Sequence, residues 1–320
     1  MVRFPARLTV SSVALIATVV IAGCGSQRSS ASDEGGSTTQ ANETAAESSG
    51  EAPMPSPGVH TLEVEGTEIV YEIAGEGEPA AVLLHGGQSN REVWRALSEE
   101  LSEQRRVVMV DLPGHGESGT PSPLDAEAFS GAVEAVLDDA RVGEAVLVGH
   151  SFGVWIARDV AIARPEAVVG LVMVDGYVVP LGGDPALGQA LLMQFESEGW
   201  EAVAEGFVEQ FMLGADTPMS VADFVRAMML AGPQALWVDV LTIASDPAIE
   251  RETVVPRPTL AMFVPGLGLP ADYQGYLAAR FEPLDFRLEP PGAGHFVMLE
   301  RPRSFASDVS TFIENLEPGL

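Results

Sequence analysis

The stretch that most limits what this chain can fold into is residues 144–154, Glu-Ala-Val-Leu-Val-Gly-His-Ser-Phe-Gly-Val. Residues 145–148 form a short apolar run of strand character, and Val154 opens a run of helical character, Val-Trp-Ile-Ala-Arg-Asp-Val-Ala-Ile-Ala. Between them lies Gly149-His150-Ser151-Phe152-Gly153, a Gly-x-Ser-x-Gly pentapeptide placed where a strand turns sharply into a helix. Such a turn strains the backbone at Ser151, and a side chain at 149 or 153 would collide with a neighbouring strand or helix. It lifts the serine hydroxyl off the sheet edge and leaves the N–H of Phe152 free to face a developing oxyanion. In a chain with 33 glycines the pentapeptide alone says little. Its flanks give it meaning.

Residues 1–24 stand apart from the fold. Arg3 and Arg7 precede a largely apolar stretch, 8–23, which falls short of the about 20 residues of a membrane span and suits a secretory signal. Its end, Ile21-Ala22-Gly23-Cys24, resembles the lipobox of bacterial lipoproteins. That resemblance implies lipidation of Cys24 and anchoring to the outer face of a bacterial cell membrane. Cys24 is the only cysteine, so no intrachain disulfide forms. Residues 25–58 are dominated by Ser, Thr, Gly, Glu and Pro. They cannot bury enough apolar surface to offset their ordering entropy, so they read as a disordered tether.

The remainder, 59–320, is long enough for one large core with an insertion. The net charge is −29, from 46 acidic against 17 basic residues, and every basic residue is arginine. The absence of lysine excludes a Schiff-base or P-loop lysine. The acidity argues against nucleic acid, whose phosphates it would repel. Residues 61–74 alternate around a Gly66 turn and predict a hairpin. Apolar strands follow at 80–84, 106–110, 145–148, 167–174, 259–264 and 285–288, and helical periods at 91–104, 126–140 and 302–316 separate them. Residues 176–256 have no strand signal but four amphipathic runs, at 187–198, 200–213, 221–230 and 233–244. Uniformly apolar strands alternating with helices predict an α/β fold: a mostly parallel central sheet covered on both faces. The strand-free segment is then a helical cap, inserted between strands six and seven over the sheet's carboxyl edge, where open α/β sheets place ligands. The core would be 59–175 and 257–320, and the cap 176–256.

Four signatures in order, His85-Gly86-Gly87, residues 111–118, Gly149 to Gly153 and Gly294-His295-Phe296, resemble the α/β-hydrolase fold family from about residue 59 onward. The resemblance implies Ser151 as nucleophile and His295, in the late loop, as its base. Of the other histidines, His60 borders the tether, the resemblance implies that His85 shapes the oxyanion loop and that His115 is structural, and the strained turn directs His150 elsewhere. The backbone N–H groups of Gly87 and Phe152 would form the oxyanion hole. Most relatives carry the third member, an aspartate, just beyond strand seven; here residues 265–270 hold no carboxylate, and the first is Asp272. Some relatives place it at the end of the preceding strand, where Asp175 stands. Asp175 ranks above Asp272, and Asp184 below both.

A serine nucleophile sets this chain apart from relatives that attack with aspartate and points to acyl transfer. The leading expectation is a lipid-anchored serine hydrolase acting on carboxylic esters of small molecules, with an apolar acyl group and no cofactor or metal. Amide or carbon–carbon hydrolysis and acyl transfer to an alcohol use the same parts, and a non-catalytic binding protein could keep the fold. The cap aromatics, among them Phe195, Phe207, Phe211 and Trp237, have the spacing of packing residues, while a capped apolar pocket is also compatible with them.

Overall fold

The computed structural model describes residues 54–183, 185–265 and 272–316. Cys24, the signal segment, tether residues 25–53, Asp184 and the loop residues 266–271 lie outside them. An eight-stranded sheet runs in the order β1-β2-β4-β3-β5-β6-β7-β8. Its strands are β1 Gly58–Val64, β2 Thr67–Ala74, β3 Ala80–Leu84, β4 Val107–Val110, β5 Ala145–His150, β6 Val168–Val174, β7 Thr259–Phe263 and β8 Leu284–Leu288. β1 and β2 form an antiparallel hairpin, closed by Glu65 and Gly66 with φ of 50° and 82°. β2 joins β4 antiparallel, and every pairing from β4 to β8 is parallel.

Parallel strands buried on both faces need continuous apolar sequence, and β3, β4 and β7 are buried at every position. The helices are α1 Arg95–Leu101, α2 Ala126–Asp139, α3 Gly153–Ala163, α4 Pro185–Phe195, α5 Trp200–Phe207, α6 Met219–Met229, α7 Gln234–Ser245, α8 Tyr273–Ala278, α9 Val297–Glu300 and α10 Pro302–Glu314. Val82, Leu84, Val108, Val110 and Leu147 join residues of α2, α3 and α8 in one apolar cluster. α1 and α10 pack on each other over the other face, with Trp94 stacked on Phe305 at 6.3 Å. Burial of each such aliphatic side chain contributes about 1.5–3 kcal/mol.

Helices α4 to α7 all lie in the chain between β6 and β7. The predicted helical run at 200–213 is an α-helix only to Phe207; a π-helical turn, Val208–Met212, completes it. The run predicted at 91–104 likewise begins as a 3-10 turn, Arg91–Trp94, capped by the Asn90 side chain on the Glu92 N–H. α7 lies over the carboxyl edge of the sheet: a Cβ at Gly87 would sit 2.8 Å from Val240, and one at Gly114 would sit 3.1 Å from Leu236. Among the described residues no single helix is long and apolar enough to cross a membrane.

Candidate active site

β5 delivers Ser151 at its carboxyl end, in left-handed backbone with φ of 51°. For a non-glycine residue that costs about 1–3 kcal/mol, so the surroundings must impose it. The Ser151 N–H is held by the Val174 carbonyl at 2.9 Å, and the Ser151 carbonyl accepts the Val154 N–H at 3.1 Å. The two motif glycines let the chains cross. A Cβ on Gly149 would lie 2.5 Å from the Gly153 carbonyl oxygen, and one on Gly153 would lie 2.5 Å from that of Leu84.

The loop after β3 passes directly beside the serine, with the Cβ position at Gly86 only 2.9 Å from the Ser151 Cβ. Two buried histidines interlock this loop with residues 111–118. His85 Nε2 accepts the Leu112 N–H at 3.0 Å, and His115 Nε2 accepts the Gln88 N–H at 3.1 Å. Each ring then donates from Nδ1 to a backbone carbonyl, that of Gly86 at 2.7 Å for His85 and that of Pro113 at 2.9 Å for His115. A ring that accepts at Nε2 is neutral, and burial enforces this by pushing His85 down to about 4 and His115 down to about 3. In a trans peptide the C=O and N–H point in opposite directions. Tying the Gly86 carbonyl to His85 therefore sets the Gly87 N–H on the side away from that ring. Among the described residues the N–H groups of Gly87 and Phe152 have no hydrogen-bond acceptor.

His295 is buried, and its Nδ1 lies 2.6 Å from Asp175 Oδ2. The other oxygen, Oδ1, accepts the Val264 N–H at 3.0 Å, and the Asp175 N–H is bonded to the Met262 carbonyl at 2.8 Å. A carboxylate on Nδ1 assigns the proton to that nitrogen and leaves Nε2 with a lone pair. Asp272 is elsewhere: it precedes α8 with φ of 59°, and its carbonyl accepts the Tyr276 N–H at 3.0 Å. The structure thus brings Asp175, not Asp272, to His295. Among the described residues no group of three or more His, Cys, Asp or Glu side chains is arranged to hold a metal ion.

Nothing local in the sequence indicates where His150 goes. The turn directs it against the His295 ring, centroids 4.4 Å apart, and its Nε2 donates to the His295 carbonyl at 3.0 Å. Burial, reinforced by the neighbouring His295, holds His150 well below the ordinary histidine range, so it stays neutral. Gly176 is a further part of the site. A Cβ there would lie 2.2 Å from the Ser151 carbonyl oxygen, and the only available signal is a glycine directly after the strand-ending aspartate. The cap aromatics pack on one another: Phe195 stacks on Trp237 at 4.8 Å, Phe207 meets Trp237 at 5.8 Å and Phe211 at 5.2 Å.

Residues 81–308 match the family model described as "Alpha/beta hydrolase family". The chain is similar to a pimeloyl-[acyl-carrier protein] methyl ester esterase of Edwardsiella ictaluri (strain 93-146), 28% identical over 260 residues that cover 77% of this chain and 97% of the relative. Among solved structures, a thermophilic esterase from Thermogutta terrifontis superposes with a TM-score of 0.68 at 23% identity, over 81% of this chain and 97% of the other. An enol-lactonase from Burkholderia xenovorans LB400 superposes with a TM-score of 0.70 at 20% identity, over 80% of this chain and all of the other (100%). At these identities the superpositions speak for the fold.

Proposed function

The chain belongs to the alpha/beta hydrolase family, and from that membership we propose that it is a serine esterase, with Ser151 as nucleophile, His295 as general base, Asp175 as the acid that orients it, and the Gly87 and Phe152 N–H groups as oxyanion hole. The observation that carries this reading is the 2.6 Å contact of His295 Nδ1 with the buried Asp175 carboxylate, in a histidine packed at 4.4 Å against His150 of an elbow that strains its serine. A histidine so fixed offers its Nε2 lone pair as a base, which a serine hydroxyl needs near neutral pH.

The steps follow from those positions. Ser151 Oγ attacks the ester carbonyl as its proton passes to His295 Nε2, and the carbonyl oxygen, now negative, is met by the two N–H groups. The tetrahedral intermediate collapses, the alcohol leaves with the proton from His295, and the acyl group stays on Ser151. Water then gives a proton to His295 as it attacks the acyl-enzyme, and the second tetrahedral intermediate collapses with cleavage of the Ser151–acyl bond, releasing the acid while His295 returns the proton to Ser151 Oγ. Each oxyanion donor is worth about 10²–10³ in rate. Asp175, bonded through both oxygens, stabilises the imidazolium that forms in each half-reaction.

The ester class is supported by the methyl ester esterase relative. An apolar acyl group fits Leu236 and Val240 of α7, which lie over the loops at Gly114 and Gly87. Location is proposed from Cys24: a lipid-anchored protein outside the cytoplasm of a bacterium. Cys24→Ser should move it out of the membrane fraction or leave an uncleaved precursor, and a wild type already fully soluble outside the cell would refute the anchor. For the chemistry, we expect wild type to hydrolyse short p-nitrophenyl esters and Ser151→Ala to fall to background with an unchanged melting temperature. Full activity in that variant would overturn the mechanism.

A further inference from the structure

The loop that carries His295 is stitched to the cap, and the stitching runs through one carboxylate. Glu300 ends α9, and its two oxygens serve different parts of the molecule. Oε2 accepts the N–H of Gly294, the residue before the base, at 2.8 Å. Oε1 accepts the hydroxyl of Thr217, which lies between the π-helical turn and α6, at 2.5 Å. The Thr217 oxygen in turn accepts the Gly214 N–H at 2.8 Å. On either side the main chains join directly. The Met212 carbonyl accepts the His295 N–H at 3.1 Å, and the Gly292 carbonyl accepts the Asp216 N–H at 2.9 Å. They approach so closely that a Cβ on Gly294 would lie 2.6 Å from the Gly214 nitrogen.

We infer that Glu300 is a positioning residue for His295, and that cap segment 212–217 is part of the base's mounting rather than a lid that swings free of it. The inference rests on reading Ser151 and His295 as nucleophile and base. The His295 peptide is gripped on both sides, its N–H by the cap at Met212 and its C=O by the elbow at His150. Asp175 aims the ring, but it does not fix the height of the backbone that bears it. Glu300 does so from the preceding peptide, through charge-assisted bonds roughly twice as strong as neutral ones. Proton transfer needs His295 Nε2 within hydrogen-bond reach of Ser151, and a displacement of about 1 Å costs on the order of 10² in rate.

The test uses substitutions remote from Ser151. Thr217→Val keeps the side chain's shape and deletes its hydroxyl, Thr217→Ser restores the hydroxyl, and Glu300→Gln keeps the size but turns one acceptor into a donor. The readouts are the rate of Ser151 labelling by a small fluorophosphonate, well below the melting temperature, and kcat and KM for a short ester. We expect Thr217→Val and Glu300→Gln each to lower labelling and kcat by about 10- to 100-fold with KM little changed. Thr217→Ser should match wild type, and the double variant should be no slower than the slower single one. Labelling at the wild-type rate in Thr217→Val and Glu300→Gln, even with a lowered melting temperature, would overturn the inference. A wild type inert to the probe would instead remove the nucleophile reading, and this inference with it.

Discussion

Asp175 stands in left-handed backbone, φ 45°, at the end of a buried strand, and both its oxygens are engaged, by Val264 and by His295. An asparagine there would present a different hydrogen-bonding pattern to Nδ1 and favour the other tautomer of His295, the proposed base. Asp175→Asn should therefore lose about 10⁴ in kcat, the scale of a lost triad aspartate. Asp272→Asn should stay within about tenfold, or ~1.4 kcal/mol of barrier, because Asp272 only precedes α8. Steady-state kinetics on one ester decides, and the reverse ranking would move the acid to the strand-seven loop. The strained turn at Ser151 and the meeting of Asp175 with His295 were legible because each residue sits in a local pattern: an elbow, a late glycine loop, a strand end. His150 and Glu300 were not. Their partners lie 145 and 83 residues away, and no local spacing encodes such contacts.

At the scale of elements, one buried arginine ties the cap to the helix behind the elbow. Arg158, on α3, donates to the Val178 carbonyl at 3.1 Å and to the Ile249 carbonyl at 2.6 Å, one on each side of the inserted helices. It also pairs with Asp159 at 2.7 Å, and its side chain is 2% exposed. Arg158→Leu would strand two carbonyls and leave Asp159 with only Arg251, at 3.3 Å. We expect a loss of about 3–5 kcal/mol in urea unfolding, the range for breaking a buried pair. A loss under about 1 kcal/mol would mean that the cap ends hold without it. The parallel strands were readable to within a residue or two, since continuous apolar runs are what a doubly covered parallel sheet requires, whereas β1 begins at Gly58, inside the stretch read as tether and three residues before the predicted hairpin. Less was visible where length and periodicity fail: α8 and α9 are a turn or two each, and the five residues of the π-helical turn continue the apolar period of α5 without a break that marks the change.

At the scale of the molecule, three buried histidines make folding sensitive to mild acid. His85 is pushed down to about 4, His115 to about 3, and His150 well below the ordinary value of 6.5, all chiefly by burial. Between pH 6.5 and about 4 the unfolded chain takes up protons on these rings that the folded chain refuses. Stability is therefore full above pH 6.5 and falls as pH drops toward 4, by up to about 1.4 kcal/mol per unit for each histidine. The net charge of −29 acts oppositely, since protonating surface carboxylates relieves repulsion. Salt at 1 M shortens the screening length to about 3 Å and suppresses that long-range term. Urea midpoints in 1 M salt should then fall from pH 6.5 to pH 5. A flat or rising midpoint would contradict the neutral-histidine interlock of the loop after β3.

In the proposed mechanism Ser151 carries the acyl group between two half-reactions. Its most direct measurement is rapid acid quenching of the wild-type protein during turnover of an activated ester, followed by peptide mass analysis. One acyl adduct is expected, on the peptide containing Ser151, with none in Ser151→Ala. Ester turnover that leaves Ser151 unmodified, or that persists in Ser151→Ala, would contradict it.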